Sequence, residues 1–141
     1  MKFHVLLPGC VDTPAITQSW EASLTGPDIV RIAQVAEKCG FEGVLIPEHL
    51  AVASEHVETT GRHFMDATTA QAVMAGATSR IKLGSMVTIL PLHNPIVLAK
   101  SLATLDWLSG GRAVVTAGPG LAARRIPRIG GAVGGARRAG Q

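Results

Sequence analysis

Short apolar runs alternate regularly with helical patterns along residues 1–118, and this order leaves few folds open to the chain. Four runs are typical of strands and three segments of helices. The strand-like runs are 3–7, 43–47, 81–90 and 112–117, and the helical segments are 27–39, 66–78 and 94–109. Connections of about 30 residues between successive strands predict a parallel sheet with right-handed crossovers, an α/β fold. Periodicity alone does not distinguish a doubly wound sheet from a segment of a β/α barrel.

Capping signals bound the predicted helices. Pro27 suits a first helical turn, Asp66 and Asn94 are good N-caps, and Gly40 and Gly110 are typical of left-handed helix ends. Each helix should bury one apolar stripe against the sheet. The predicted buried positions are Ile29, Ile32, Ala33, Ala36, Ala70, Val73, Met74, Ala77, Leu98, Leu102 and Leu105.

The chain has 141 residues, about one domain, whereas a complete eight-stranded β/α barrel needs about 200 or more. It could therefore form only part of such a barrel. A hydrophobic content of 47% excludes a wholly disordered protein. No apolar run approaches the roughly 18 residues that span a bilayer, so we expect no membrane partner.

Charge divides the chain at residue 118. All 10 acidic residues precede this point, whereas the last 23 residues contain five arginines and no acid. We therefore expect two parts: a folded unit over 1–118 and a low-complexity, disordered Gly/Ala/Arg tail over 119–141. A basic tail could bind nucleic acid or anionic lipid, but an unstructured terminus is the favoured interpretation. We expect no nucleic-acid partner, since aromatic residues are only 4% of the chain.

The cysteines and histidines indicate a reduced protein without a metal. Cys10 and Cys39 are too few for a disulfide framework and belong to no CxxC motif. The first ten residues make a poor signal peptide, so we expect a cytoplasmic location. His56, His63 and His93 are separated by 7 and 30 residues, which matches no common ligand spacing.

Ligands of parallel α/β folds bind beyond the carboxyl ends of the strands. There the second predicted strand ends in Glu48 and His49, a carboxylate beside an imidazole that could place a proton donor near a bound ring or carbonyl. A solvated pair of loop residues is the alternative. Gly118-Pro119-Gly120 could approach a ligand closely, but it is not a dinucleotide-binding GxGxxG, and no P-loop is present.

Three segments resemble the luciferase-like monooxygenases. Residues 40–49 (GFEGVLIPEH) are similar to that family's second strand, and 79–100 (SRIKLGSMVTILPLHNPIVLAK) to its third strand and third helix. Residues 103–112 (ATLDWLSGGR) are similar to the end of that helix and the entry to the fourth strand. The Pro47-Glu48-His49 sequence is most similar to the branch that uses the deazaflavin coenzyme F420. The resemblance covers about residues 1–120.

The resemblance implies a partial (β/α)8 TIM barrel, comprising the first four strands and three helices. It implies F420 as cofactor, with FMN as the alternative, and hydride transfer or oxygenation of a small organic substrate.

Glu48 and His49 would be the catalytic residues, with His49 in contact with ring or substrate. The third-strand bulge would support the ring, often through a non-proline cis peptide, here at Met86-Val87. His93 would belong to the loop before the third helix, with no role. The implied cofactor-binding residues are Ser85, Met86, Val87, Thr88 and Gly118.

Members of this family continue with four more β/α units, which usually supply much of the phosphate binding. The chain therefore resembles the first half of such an enzyme, cut short, as a frameshift or truncation would produce. Exposed strand edges favour pairing with another chain. We expect a homodimer, which could close a barrel, or another association through these edges. The alternative function is a non-catalytic fragment or a partner subunit of a complete flavoenzyme.

Overall fold

A computed structural model describes residues 1–52 and 54–120, and its elements follow the predicted α/β order. The strands are β1 (His4–Leu6), β2 (Gly43–Ile46), β3 (Lys82–Ser85), β4 (Thr88–Ile89), β5 (Ala113–Val114) and β6 (Ala117–Gly118). The α-helices are α1 (Gly26–Lys38), α2 (Val57–Thr60), α3 (Ala67–Ala77) and α4 (Pro95–Ser109). Most of the predicted tail, residues 121–141, lies outside the described residues, so its disorder stays a prediction.

All strand pairs within the two sheets are parallel, as predicted. The larger sheet has the order β1-β2-β3-β5, and the smaller one pairs β4 with β6. Strands adjacent in the larger sheet are connected through helices α1, α3 and α4, the βαβ arrangement of a barrel segment. Within the described part of the chain, β1 and β5 are the edges of this sheet.

The third and fourth predicted strands are each divided in two, which differs from the continuous runs expected over 81–90 and 112–117. Gly84 pairs with Val114 and Thr88 with Ala117, so between these pairs three residues on one strand (85–87) oppose two on the other (115–116). One extra residue in an otherwise parallel pairing is a β-bulge. The peptide bond between Met86 and Val87, inside the bulge, is cis, as the resemblance implied.

The predicted helix ends are confirmed. The carboxylate of Asp66 accepts a hydrogen bond from the Thr69 N–H at 2.7 Å, and the Asn94 side chain caps α4 in the same way. Gly40 and Gly110 follow α1 and α4 with φ values of 81° and 72°, a conformation that glycine adopts without a Cβ clash. The short helix α2 lies between β2 and α3, in a segment for which the sequence predicted neither a strand nor a helix.

The hydrophobic core fills the space between the larger sheet and helices α1 and α3. It includes Leu7, Cys10, Ile29, Ala33, Ala36, Val44, Ile46, Ala67, Ala70, Met74, Ile81 and Leu83. The prediction that Val73 belongs to the core is wrong, since Val73 is 51% exposed. Gln71, two positions earlier in the same helix, is instead 1% exposed. Helix α3 is rotated so that Ala67, Ala70, Gln71 and Met74 form its buried face. The polar Gln71 is tolerated there because its amide has a buried hydrogen-bond partner.

No helix among the described residues is long and apolar enough to cross a lipid bilayer.

Candidate functional site

The carboxyl ends of the parallel strands lie along one edge of the sheet, and we call this region the strand-end surface. It comprises the residues that follow the strands, namely 7–10, 47–50, 86–93 and 119–120, together with β4 and β6. Glu48, His49, Met86, Val87 and Gly118 all belong to it, as the sequence predicted. The topology therefore brings together most of the predicted site residues at one edge.

Glu48 is buried at this surface, with only 6% of the residue exposed. Its Oε2 accepts a hydrogen bond from the Ile89 N–H at 2.6 Å, and its Oε1 lies 3.0 Å from Nε2 of His93. Glu48 follows β2, whereas its two partners lie in and after β4. The carboxylate thus connects two neighbouring strands beyond the bulge.

His49 has a different partner from Glu48. Its ring lies against the ring of Phe64 in an edge-to-face arrangement, with centroids 4.6 Å apart. Burial lowers the pKa of His49, while the charge of Glu48 acts in the opposite direction with a smaller effect. The imidazole is therefore neutral at pH 7, with one N–H to donate and one lone pair to accept. Its predicted catalytic role stays a prediction.

The side chains on either side of the bulge point to different environments. Ser85 and Thr88 are buried, and the Ser85 hydroxyl accepts a 2.9 Å hydrogen bond from Gln71 in α3. Met86 is 50% exposed and Val87 is partly buried. The hydroxyl of Ser85 is thus engaged within the fold, while Met86 and Val87 present apolar surface. Contacts of these four residues with a cofactor stay predictions.

Gly118 packs closely against the bulge. A Cβ at this position would lie 2.9 Å from Cγ2 of Val87, closer than real Cβ contacts. A Cβ at Gly120 would lie 2.7 Å from Cγ2 of Ile89. Both glycines therefore let the chain after β5 approach the residues after β3, a sufficient structural reason for them. The predicted contact of Gly118 with a cofactor stays a prediction.

The arrangement fits an aromatic ring better than it fits a metal or a nucleophilic centre. Apolar surface at Met86 and Val87 lies at the same sheet edge as the His49 imidazole, and organic cofactors bind mostly against apolar side chains with a few polar groups. Among the described residues, no group of three or more His, Cys, Asp or Glu side chains could hold a metal ion. Burial, helped by the Glu21 charge, raises the pKa of Cys10 to about 12, so its thiol stays protonated.

Sequence reasoning missed the contribution of His93. The residue does lie in the loop before the helix that follows β4, as predicted, but it contacts Glu48 rather than solvent alone. Glu48 and His93 are 45 positions apart, and no local motif links them. The only available signal was that both residues follow neighbouring parallel strands.

The parallel strands, the helices that connect them and the bulge between β3 and β4 together form a segment of a β/α barrel. Residues 1–138 match the family model for luciferase-like monooxygenases, and the chain belongs to this family.

The proteins that the chain is similar to include one described as dependent on coenzyme F420 and one solved in complex with FMN. The chain is 39% identical over 92 residues to 5,10-methylenetetrahydromethanopterin reductase of Methanopyrus kandleri, an alignment covering 65% of this chain and 23% of the relative. The structure of coenzyme F420-dependent tetrahydromethanopterin reductase from Methanopyrus kandleri is similar with a TM-score of 0.57 at 29% identity, covering 87% of this chain and 28% of that one.

A Baeyer-Villiger monooxygenase from Pseudomonas putida, solved in complex with FMN, shares the fold with a TM-score of 0.59 at 22% identity. That alignment covers 85% of this chain and 30% of the monooxygenase. The chain thus spans about a quarter to a third of the length of these proteins.

Proposed function

We propose that the chain is the N-terminal half of an oxidoreductase barrel that binds F420, or alternatively FMN, at the strand-end surface. The reaction would act on a small organic substrate, either by hydride transfer or by oxygenation. One observation carries the proposal: the bulge between β3 and β4 presents Met86 and Val87 at the edge where His49 lies. An apolar platform beside one neutral imidazole suits a planar ring that changes its charge during reaction.

The cofactor would supply the redox chemistry, and the chain would supply binding and a proton position. Met86 and Val87 would contact one face of the ring and exclude water from it. The neutral His49 ring would donate its single N–H to an atom of the cofactor or substrate that gains negative charge. We assign Glu48 a supporting role at this surface, because both its carboxylate oxygens are already hydrogen-bonded.

Fluorescence titration of the purified chain with F420, and separately with FMN, tests the proposal. We expect saturable binding of one cofactor and at least tenfold weaker binding by Met86→Asp, which places a charge on the apolar platform. The matched control is Leu108→Asp, since Leu108 is an exposed apolar residue on α4, remote from the strand ends. Absence of saturable binding of both cofactors, or equal losses in the two variants, would contradict the proposal.

A barrel completed with four further β/α units tests the role of His49. His49→Ala should lower turnover by roughly 100- to 10,000-fold, the usual contribution of acid–base groups, with a smaller effect on cofactor affinity. His63→Ala is the control, because His63 is an exposed loop histidine. Equal turnover losses in both variants would remove His49 from the catalytic assignment.

The open strand edges favour association with a second chain. β1 and β5 each pair on one side only among the described residues, and parallel barrels leave no edges unpaired. We propose a homodimer in the cytoplasm, where Cys10 and Cys39 stay free thiols. Light scattering on a sizing column should give twice the chain mass. A monomer that binds no cofactor would instead favour the alternative, a non-catalytic partner of a complete flavoenzyme.

A further inference from the structure

We propose that Glu48 is a positioning residue that holds His93 at the strand-end surface in the Nε2–H form, leaving Nδ1 as a hydrogen-bond acceptor for a ligand. The ligand class is a molecule that presents an N–H or O–H group to this nitrogen. The part that concerns the ligand rests on the proposed function. The positioning of His93 can be measured without any cofactor.

The geometry around Glu48 leaves its carboxylate no freedom to act on a ligand itself. One oxygen accepts the Ile89 N–H at 2.6 Å and the other lies 3.0 Å from His93 Nε2. The Glu48 side chain is 3% exposed. Turning it toward solvent would leave the Ile89 N–H buried without a partner, which is unfavourable.

His93 is the more accessible member of the pair. Its side chain is 18% exposed, several times the exposure of Glu48, and it follows β4 at the strand-end surface. Its backbone N–H is bonded to Leu90 O, which anchors the loop from which the ring projects. Glu48 Oε1 is the only hydrogen-bond partner of the His93 ring within the described part of the chain. The second ring nitrogen, Nδ1, thus has no protein partner there.

The chemistry of a carboxylate determines which His93 nitrogen carries the proton. An ionised carboxylate only accepts hydrogen bonds, so Nε2 must donate to Oε1. In the neutral ring Nδ1 then has the lone pair. Glu48 therefore selects one tautomer of His93, as a carboxylate does for the histidine it orients in many enzyme sites.

Glu48→Gln separates this positioning role from a merely structural one. The Ile89 N–H requires an acceptor, so the amide oxygen should take that place and the NH2 group should face His93. Nε2 would then accept a hydrogen bond, and the proton would move to Nδ1. The fold should survive, because the amide has nearly the shape of the carboxylate and both contacts are kept.

The experiment is nitrogen NMR on the full chain, with all five histidines labelled, at a pH about two units above the ordinary histidine pKa of about 6.5. His93→Gln assigns the His93 signals by their disappearance. The wild-type spectrum should show His93 as the Nε2–H tautomer, and the Glu48→Gln spectrum should show it as Nδ1–H. The matched control is Glu21→Gln, since both Glu21 carboxylate oxygens also accept hydrogen bonds, from the backbone N–H groups of Gly9 and Gln18, and neither of these bonds involves His93.

Two results would overturn the proposal. One is an Nδ1–H tautomer of His93 in the wild-type chain. The other is a His93 tautomer that is the same in the wild type and in Glu48→Gln. Failure of the chain to bind F420 or FMN would contradict the proposed function but would leave the tautomer result intact, so the two failures are distinguishable.

Discussion

The amide of Gln71 donates a 2.9 Å hydrogen bond to the hydroxyl of Ser85, in the buried layer between helix α3 and the sheet. Ser85 is the last residue of β3, immediately before the bulge. The pair therefore joins the helix to the point where the strand leaves its regular course. Both residues are almost completely buried, so neither group can exchange its partner for bulk water.

Removing either member of this pair should destabilise the chain by about 1–3 kcal/mol, because the remaining buried group loses its partner. Gln71→Leu and Ser85→Ala test this by urea unfolding. The double variant should lose less than the sum of the two single losses, since it leaves no orphaned polar group. Strictly additive losses would show that the hydrogen bond does not couple α3 to the bulge.

Arg112 joins three elements near the opposite end of the sheet. Its guanidinium donates four hydrogen bonds, and it lies at the entry to β5. The acceptors are the carbonyl oxygens of Ala75, Ile81 and Ser109 and the hydroxyl of Thr78, at 2.7–3.1 Å. Only a planar guanidinium with several N–H groups can reach acceptors on α3, on α4 and on the residue before β3 at the same time.

Arg112→Lys should therefore lower the free energy of unfolding by roughly 2–4 kcal/mol, although the charge is kept, because one ammonium group cannot satisfy four dispersed acceptors. Arg62→Lys is the matched control, since Arg62 is an exposed loop residue. Denaturant midpoints measure both. If Arg112→Lys loses no more unfolding free energy than Arg62→Lys, the four hydrogen bonds of the Arg112 guanidinium do not stabilise the fold.

Local signals were sufficient to predict the alternation of parallel strands with helices and the ends of the three long helices. Asp66 and Asn94 cap helices through contacts two or three residues away, and Gly40 ends α1 by its own backbone geometry. Such features depend on neighbouring residues, which a sequence shows directly. Gly84 within the apolar run 81–90 suggests a bulge or a close backbone approach, but only the family resemblance placed the bulge at Met86-Val87.

Contacts between distant segments explain the rest. The buried side of α3 was predicted with Val73 inside, since Val73 is apolar and Gln71 is not. Helix α3 instead buries the side that carries Gln71, because Ser85, 14 positions away, accepts a hydrogen bond from the Gln71 amide. The link between Glu48 and His93 was missed for the same reason. A polar residue is placed inside by its partner, which periodicity does not reveal.

Acid should destabilise the chain partly through Glu37. Burial alone would raise the pKa of this carboxyl, but hydrogen bonds from the backbone N–H groups of residues 79–81, with the Arg80 charge, outweigh burial and lower the pKa. The ionised form is thus favoured in the folded state. Its contribution is complete above the ordinary pKa of 4.5 and is lost as the pH falls through the lowered value. Glu37→Gln should flatten the dependence of unfolding free energy on pH in this window.

Glu42 provides the control for this pH dependence. Hydrogen bonds from Lys82 and Lys2 lower its pKa to about 2, and both lysines are at the surface. Salt screens such ion pairs far more than it affects hydrogen bonds to backbone N–H groups. Screening is strong at a salt concentration of about 0.5 M. There the effect of Glu42→Gln on the pH dependence of the unfolding free energy should shrink, and that of Glu37→Gln should persist. Equal shrinkage would show that Glu37 acts through the Arg80 charge alone.

His49 should titrate below the usual histidine range, and two substitutions should move its pKa in opposite directions. Burial, to which the Phe64 ring contributes, is the larger cause of the lowered pKa, and the Glu48 charge opposes it. Phe64→Ala should therefore raise the pKa of His49 toward 6.5, and Glu48→Gln should lower it further. Because the folded pKa is lowered, His49 contributes stability above its unfolded pKa and loses it on acidification.

Proton NMR titration of the His49 ring signals measures these pKa values directly. Phe41→Ala is the control for the loss of an aromatic ring, since Phe41 precedes β2, at the opposite end of that strand from His49. It should leave the His49 pKa unchanged. If Phe64→Ala and Phe41→Ala shift it equally, the change reflects general loosening of the fold. If Phe64→Ala alone raises it, the ring contact keeps His49 neutral at pH 7, with the one N–H that the proposed reaction requires.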